Sequence, residues 1–191
     1  MGTKAKKGSQ FERDISRTLS LWWSDGKNDA LCWRVLGSGG RSTIRAKFNK
    51  ETAGGYGDLT FTDVVMKPFF DLFLCELKRG YTKDIDPLAI IDGKGKKNFL
   101  LNVYNKAKME CDFAKRYFPL IIFERNRHKP CVMVDVKFFH YVSLFAGSIP
   151  SILREEITID VDDYLLKIIT LEFFLKWVSP ETIKLILEEK F

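Results

Sequence analysis

Histidine is nearly missing from this chain: only His128 and His140 occur in 191 residues, so a general base built on imidazole has almost no candidates. Cysteine is scarce and scattered. Cys32, Cys75, Cys111 and Cys131 form no CxxC pair, which speaks against a zinc or redox centre and for free thiols in a reducing compartment. No apolar run approaches the roughly 18 residues that span a bilayer. The basic start, Met1 to Lys7, has no apolar segment behind it, so it does not read as a signal peptide. No internal repeat and no low-complexity tract is found. Ser38 lacks a G-x-S-x-G elbow, and Gly93-Lys94-Gly95-Lys96 has the wrong spacing for a phosphate-binding P-loop.

What is present describes a folded domain. Apolar residues make up 46% and charged residues 29%, enough apolar surface to offset the entropy of folding. The length suits one domain with an appendage, or two very small ones. The expected location is intracellular and cytoplasmic, with no membrane partner. The net charge of +6 is unevenly spread. Lys4, Lys6 and Lys7 crowd the N-terminus, Lys94, Lys96 and Lys97 share a Gly-punctuated loop, and Arg125, Arg127 and Lys129 share a turn. Three such clusters can converge on one phosphate-binding face, or each can be a solvated loop; charge alone does not decide.

Hydrophobic spacing sets the order of elements. Phe11, Ile15, Leu19 and Trp22 give a helical stripe over residues 8–24, with Ser9 as N-cap and Glu12 completing a capping box. A short strand is expected at Cys32–Leu36, then a Gly37-Ser38-Gly39-Gly40 loop. From Gly57 the period becomes two. One strand follows Asp58, a second covers Phe69–Lys78, and a helix covers 98–117. Pro119–Glu124 and Cys131–Val136 read as strands, Phe138–Phe145 as a helix, and Ile157–Val161 with Tyr164–Ile169 as a hairpin. Ser179-Pro180-Glu181 starts a helix over 180–190. The pattern implies an α/β fold with a mixed sheet flanked by helices.

The chemistry concentrates on one strand. Glu76 and Lys78 lie two residues apart at the end of an otherwise apolar run, so both side chains leave one face of the sheet. Burying such groups is costly unless they are paired or hold a metal. Asp58 can lie alongside if the two strands are antiparallel neighbours. Asp58 and Glu76 then present carboxylate oxygens to a hard divalent cation, Mg²⁺ or Mn²⁺. The plainer reading is an edge-of-sheet Glu–Lys pair with Asp58 in a turn.

The Asp58, Glu76-Leu77-Lys78 pattern resembles the PD-(D/E)XK nuclease superfamily. The N-terminal half is similar to archaeal-type Holliday junction resolvases and their phage-encoded relatives. The likeness rests on Lys7-Gly8-Ser9-Gln10-Phe11-Glu12-Arg13, then Arg34, Gly37-Ser38-Gly39-Gly40, Gly57-Asp58 and Glu76-Leu77-Lys78, in that order. A helix, Phe113-Ala114 and the strand from Pro119 extend it to about residue 136. Gly57 stands where the family usually has Pro. The stretch from Ser38 to Asp58 is long and basic, and Lys106 is nearest to the Gln that many members carry on the following helix. Lys106 can equally form an i, i+4 pair with Glu110.

The resemblance implies a restriction-endonuclease-like α/β fold. A basic tail (1–7) precedes a nuclease core (8–136), and a C-terminal extension (137–191) packs on it. It implies a Mg²⁺-dependent DNA endonuclease acting on branched or four-way DNA, with Mn²⁺ as substitute, working as a homodimer; a phage-encoded member acts in the host cell. Asp58, Glu76 and the Leu77 carbonyl would hold the metal. Glu12 would reach it directly or through water, or serve only the capping box. Lys78 would orient or deprotonate the attacking water, or stabilise the transition state. Candidate DNA contacts are Lys6, Lys7, Arg13, Arg34, Ser38, Arg41, Arg45, Lys94, Lys96, Lys97 and Lys106. The alternatives are a less selective or restriction-type nuclease and, from another class, a catalytically silent DNA-binding or assembly module. The complete Asp58, Glu76, Lys78 set speaks against silence.

Overall fold

Phe11, Ile15, Leu19 and Trp23 recur at helical spacing and are all buried, forming the inner face of helix α1, Lys4–Trp23. The computed structural model describes residues 4–35, 56–80, 99–146, 156–161 and 164–190. The helix begins before the expected Ser9 cap, because Lys4-Ala5-Lys6-Lys7 are good helix formers and nothing interrupts them. Ser9 is therefore an interior residue whose hydroxyl accepts from Arg13 Nη2 at 3.3 Å. At the other end the Gly26 N–H reaches back to the Leu21 carbonyl, with Asp25 and Gly26 at positive φ, ending the helix where the Asp-Gly pair was expected to.

Strands β1 (Cys32–Arg34) and β2 (Leu59–Phe61) pair antiparallel with Arg34 opposite Leu59. A short 3₁₀ turn, Val64–Met66, leads into α2 (Lys67–Leu72), and β3 follows as Phe73–Arg79. The single strand expected over Phe69–Lys78 is thus a helix followed by a strand. Pro68 sits in the first turn of α2, where a missing N–H costs nothing, and Lys67 pairs with Asp71 one turn on. Those local preferences outweigh the apparent alternation of Phe69 to Leu72.

Helix α3 (Phe99–Ala114) carries the chain from β3 to β4 (Phe118–Glu124), which pairs parallel to β3. A tight turn returns it as β5 (Cys131–Asp135), followed by α4 (Val136–Ala146). β6 (Ile157–Val161) and β7 (Tyr164–Thr170) form a hairpin, and α5 (Leu171–Trp177) and α6 (Pro180–Lys190) close the chain. The sheet order is β3-β4-β5-β7-β6, with β7 antiparallel to β5, so residues after 136 supply two of its five strands. This mixed sheet flanked by helices is the restriction-endonuclease-like α/β architecture.

Alternation along β3 divides the core. Phe73, Cys75 and Leu77 face a cluster that includes buried residues of α1, α2, α4, α5 and α6. Leu74 faces the smaller cluster under α3, and Glu76 and Lys78 leave the sheet on that same side. Phe138 of α4 anchors the larger cluster, fully buried with ring centroids 4.9 Å from Phe73 and 5.7 Å from Phe118. Truncating such a residue to Ala costs about 3–5 kcal/mol. All four cysteines are free thiols. Burial pushes Cys32 up to about 11 and Cys111 up to about 12, and Cys75 up as well. No helix among the described residues is long and apolar enough to cross a membrane.

Candidate active site at the open edge of β3

β3 is the first strand of its sheet, and the loop before β2 fills the side that β4 does not. The Asp58 N–H donates to the Cys75 carbonyl at 2.8 Å, and the Val35 N–H donates to the Asp58 carbonyl at 2.9 Å. Asp58 Oδ2 accepts the Leu77 N–H at 2.7 Å, taking the place of a ladder carbonyl. β2 pairs with β1 rather than with β3. The antiparallel neighbour expected from the sequence is therefore replaced by this side-chain bridge. It places the Asp58 carboxylate one residue from both Glu76 and Lys78 along the strand.

Gly57 makes the bridge possible. Its φ of +72° lies in the left-handed region, and a Cβ there would stand 2.7 Å from the Cys75 carbonyl oxygen. Proline, the usual residue at this point in the family it resembles, has φ fixed near −65° and cannot adopt that conformation. Gly57→Ala is expected to lose at least about 1–2 kcal/mol of stability from the left-handed backbone alone. Urea unfolding would read this as a lower midpoint at unchanged slope. An unchanged midpoint would contradict the close approach.

Glu76 is only 7% exposed, and Lys78 Nζ donates to its Oε1 at 2.5 Å. Burial and then the Asp58 charge push the Glu76 carboxyl above its ordinary value, while Lys78 and Lys106 pull it back. Glu12 reaches the same cluster from α1, where its Oε2 lies 3.3 Å from Arg34 Nε. Burial and Asp58 push Glu12 up too, opposed by Arg34, Lys78 and Arg13. One aspartate thus acts on both glutamates, and one lysine on both. The structure brings Glu12, Arg34, Asp58, Glu76 and Lys78 into one electrostatic unit.

Among the described residues no three His, Cys, Asp or Glu side chains form a ready metal cage. Mg²⁺ rarely uses one, since it is typically held by one or two carboxylates and keeps several waters. Asp58, Glu76 and the Leu77 carbonyl, which shares the open edge with the Leu77 N–H, fit that donor set. Burial is the main cause that lifts Glu12 and Glu76, and the Asp58 repulsion that adds to it is what a divalent charge would relieve. A folded-state carboxyl pKa above its unfolded value lowers stability as pH rises through it. Without added metal, Asp58→Asn keeps an acceptor for Leu77 and removes one cause of both shifts. Its melting temperature is expected to equal or exceed that of the wild type at neutral pH. The gain should shrink as pH falls toward the ordinary carboxylate range, where Glu12 and Glu76 take up protons. A large loss at neutral pH would make Asp58 a simple turn residue.

The remaining sequence-predicted residues divide into three groups. Arg13 is exposed near Glu12, and Lys6 and Lys7 lie in the first turns of α1. Lys106 pairs with Glu110 at 3.6 Å, yet its charge still reaches Glu76, so the i, i+4 pair and the site orientation coexist. Ser38, Arg41, Arg45, Lys94, Lys96 and Lys97 lie outside the described residues. Sequence reasoning gave no role to Gly57; its exchange for the usual Pro was the available signal. A groove of about 590 Å³ between α1 and α5, lined by Phe11, Ile15, Trp22, Leu171 and Leu175, contains none of the cluster residues.

A protein-family model described as "Phage putative PDDEXK endonuclease" matches residues 3–185. No curated protein and no solved structure matches the chain.

Proposed function

The chain belongs to this family of phage PD-(D/E)XK endonucleases, and from that premise we propose that it is a Mg²⁺-dependent enzyme that hydrolyses DNA phosphodiester bonds, with branched four-way DNA as its preferred substrate. The observation that carries the reading is the coupled set Asp58, Glu76 and Lys78 at one strand edge, with Glu12 and Arg34 beside it.

Asp58, Glu76 and the Leu77 carbonyl would hold the metal, and Glu12 would reach it directly or through water. Bound there, the ion supplies Lewis-acid stabilisation of the phosphoryl oxygens and activation of the attacking water. Lys78, which pairs with Glu76, would orient the attacking water or stabilise charge in the transition state. The Arg34 guanidinium, whose Nε lies 3.3 Å from Glu12 Oε2, would contact the substrate phosphate beside the metal. Lys6, Lys7, Arg13 and Lys106 add non-specific phosphate contacts, and Ser38, Arg41, Arg45, Lys94, Lys96 and Lys97 are proposed to do the same. A homodimer supplies two such sites; Met109 and Phe113, exposed one turn apart on α3, offer apolar surface for it.

Nicking of supercoiled plasmid tests this reading. Purified protein should convert it to open-circle and linear forms with Mg²⁺ or Mn²⁺, and leave it intact with EDTA. Tight DNA binding with no cleavage in either metal would favour the silent binding module instead.

A further inference from the structure

The third basic cluster of the sequence, Arg125 to Lys129, is placed by the sheet at the same end of the molecule as Lys78. Lys78 is in register with Phe123 of the parallel neighbour β4, and Arg125 follows two residues later, about 7 Å along the strand direction. The Gly80 N–H donates to the Glu124 carbonyl at 2.9 Å, Arg79 pairs with Glu124, and Asn126 lies against Gly80. The turn is therefore fixed to the end of β3 immediately after the E-x-K residues. Ligands of open α/β sheets bind beyond the carboxyl ends of parallel strands, which is where it stands.

Its backbone gives an independent sign. The His128 N–H closes the turn on the Arg125 carbonyl at 3.0 Å, leaving Arg127 at the third position with φ of +64°. Gly or Asn takes this left-handed conformation with least strain. An arginine there is a locally unfavourable choice of the kind that collects at functional sites. Arg125 and Arg127 are exposed and enter no ion pair among the described residues, whereas Lys129 is paired with Glu172.

We propose that the Arg125–Lys129 turn grips the DNA backbone beside the scissile phosphate, with Arg125 and Arg127 as its contacting cations. This rests on the reading of the Asp58–Glu76–Lys78 cluster as a DNA-cleaving site and adds a surface to it. The contact is to phosphates and carries no base information.

The test pairs stability with salt dependence, using Arg127→Gly and the double variant Arg125→Gln/Arg127→Gly. Affinity for a fluorescein-labelled linear duplex is measured by anisotropy in EDTA across a KCl series. Arg127→Gly should melt at the wild-type temperature or a few degrees above it, because glycine relieves the strained position. Its affinity should nevertheless fall severalfold, and the slope of log K against log salt should shrink by about 1; the double variant should lose about 2. Lys27→Gln, in the turn after the C-terminal end of α1, removes one charge and should leave the slope unchanged. A raised melting temperature with unchanged slope would make the turn merely solvated, and a lowered one would make Arg127 structural; either overturns the proposal. Wild type that binds with the steep slope but never cuts refutes the nuclease reading alone, while the slopes still decide the turn.

Discussion

Asp58→Asn and Lys78→Gln should each lower the Mg²⁺-dependent cleavage rate by about 10³-fold or more while leaving DNA affinity within a few-fold of wild type. The asymmetry follows from where the energy lies. Loss of metal positioning or of the Lys78 charge forfeits several kcal/mol of transition-state stabilisation, and each 1.36 kcal/mol is a factor of ten in rate. Affinity is carried mainly by phosphate contacts elsewhere, so it should persist. Both substitutions keep a polar group at the position. Asn can still accept the Leu77 N–H, and Gln can still donate to Glu76. Single-turnover cleavage with DNA saturated by enzyme separates rate from binding. Parallel loss of both would point to misfolding or a binding role.

A four-way junction should be cut by paired, roughly symmetric nicks, and linear duplex of the same sequence far more slowly. A two-fold symmetric dimer presents one site to each of two equivalent strands, so the nicks should be coupled. A surface that binds phosphates without reading bases can discriminate only through the geometry and deformability of the DNA. Immobile junctions labelled on each strand in turn, with the oligomeric state read by light scattering, test both halves. Equal cleavage of junction and duplex by a monomer would leave a nuclease without junction preference.

The strand bearing Glu76 and Lys78, and the face they share, were legible, because the two break an apolar run at a spacing that only an extended chain turns into one side. Elsewhere, period alone was ambiguous. Phe69 to Leu72 alternates like a strand, but Pro68 and the Lys67–Asp71 spacing were helix signals that decided it. Ser9 looked like a cap because its local pattern is that of one; the residues before it are equally helical. The way Asp58 joins β3 was not legible. A carboxylate replacing a ladder carbonyl leaves no periodic trace, and its one sequence correlate is the glycine before it. The nearness of the 125–129 turn to Lys78 was hidden for a different reason. It depends on the parallel register of two strands separated by α3, a long-range pairing that no local window contains.

If the metal-dependent nuclease centre is assembled around Glu76, Glu76→Gln should abolish cleavage. The change is nearly isosteric and keeps an acceptor for Lys78, but it removes the buried charge offered to the cation. Plasmid nicking in Mg²⁺ by wild type and Glu76→Gln, at matched DNA occupancy and with matched melting curves, should show cleavage by the first and essentially none by the second. Full cleavage by the Glu76→Gln protein would mean that Glu76 does not hold the catalytic metal.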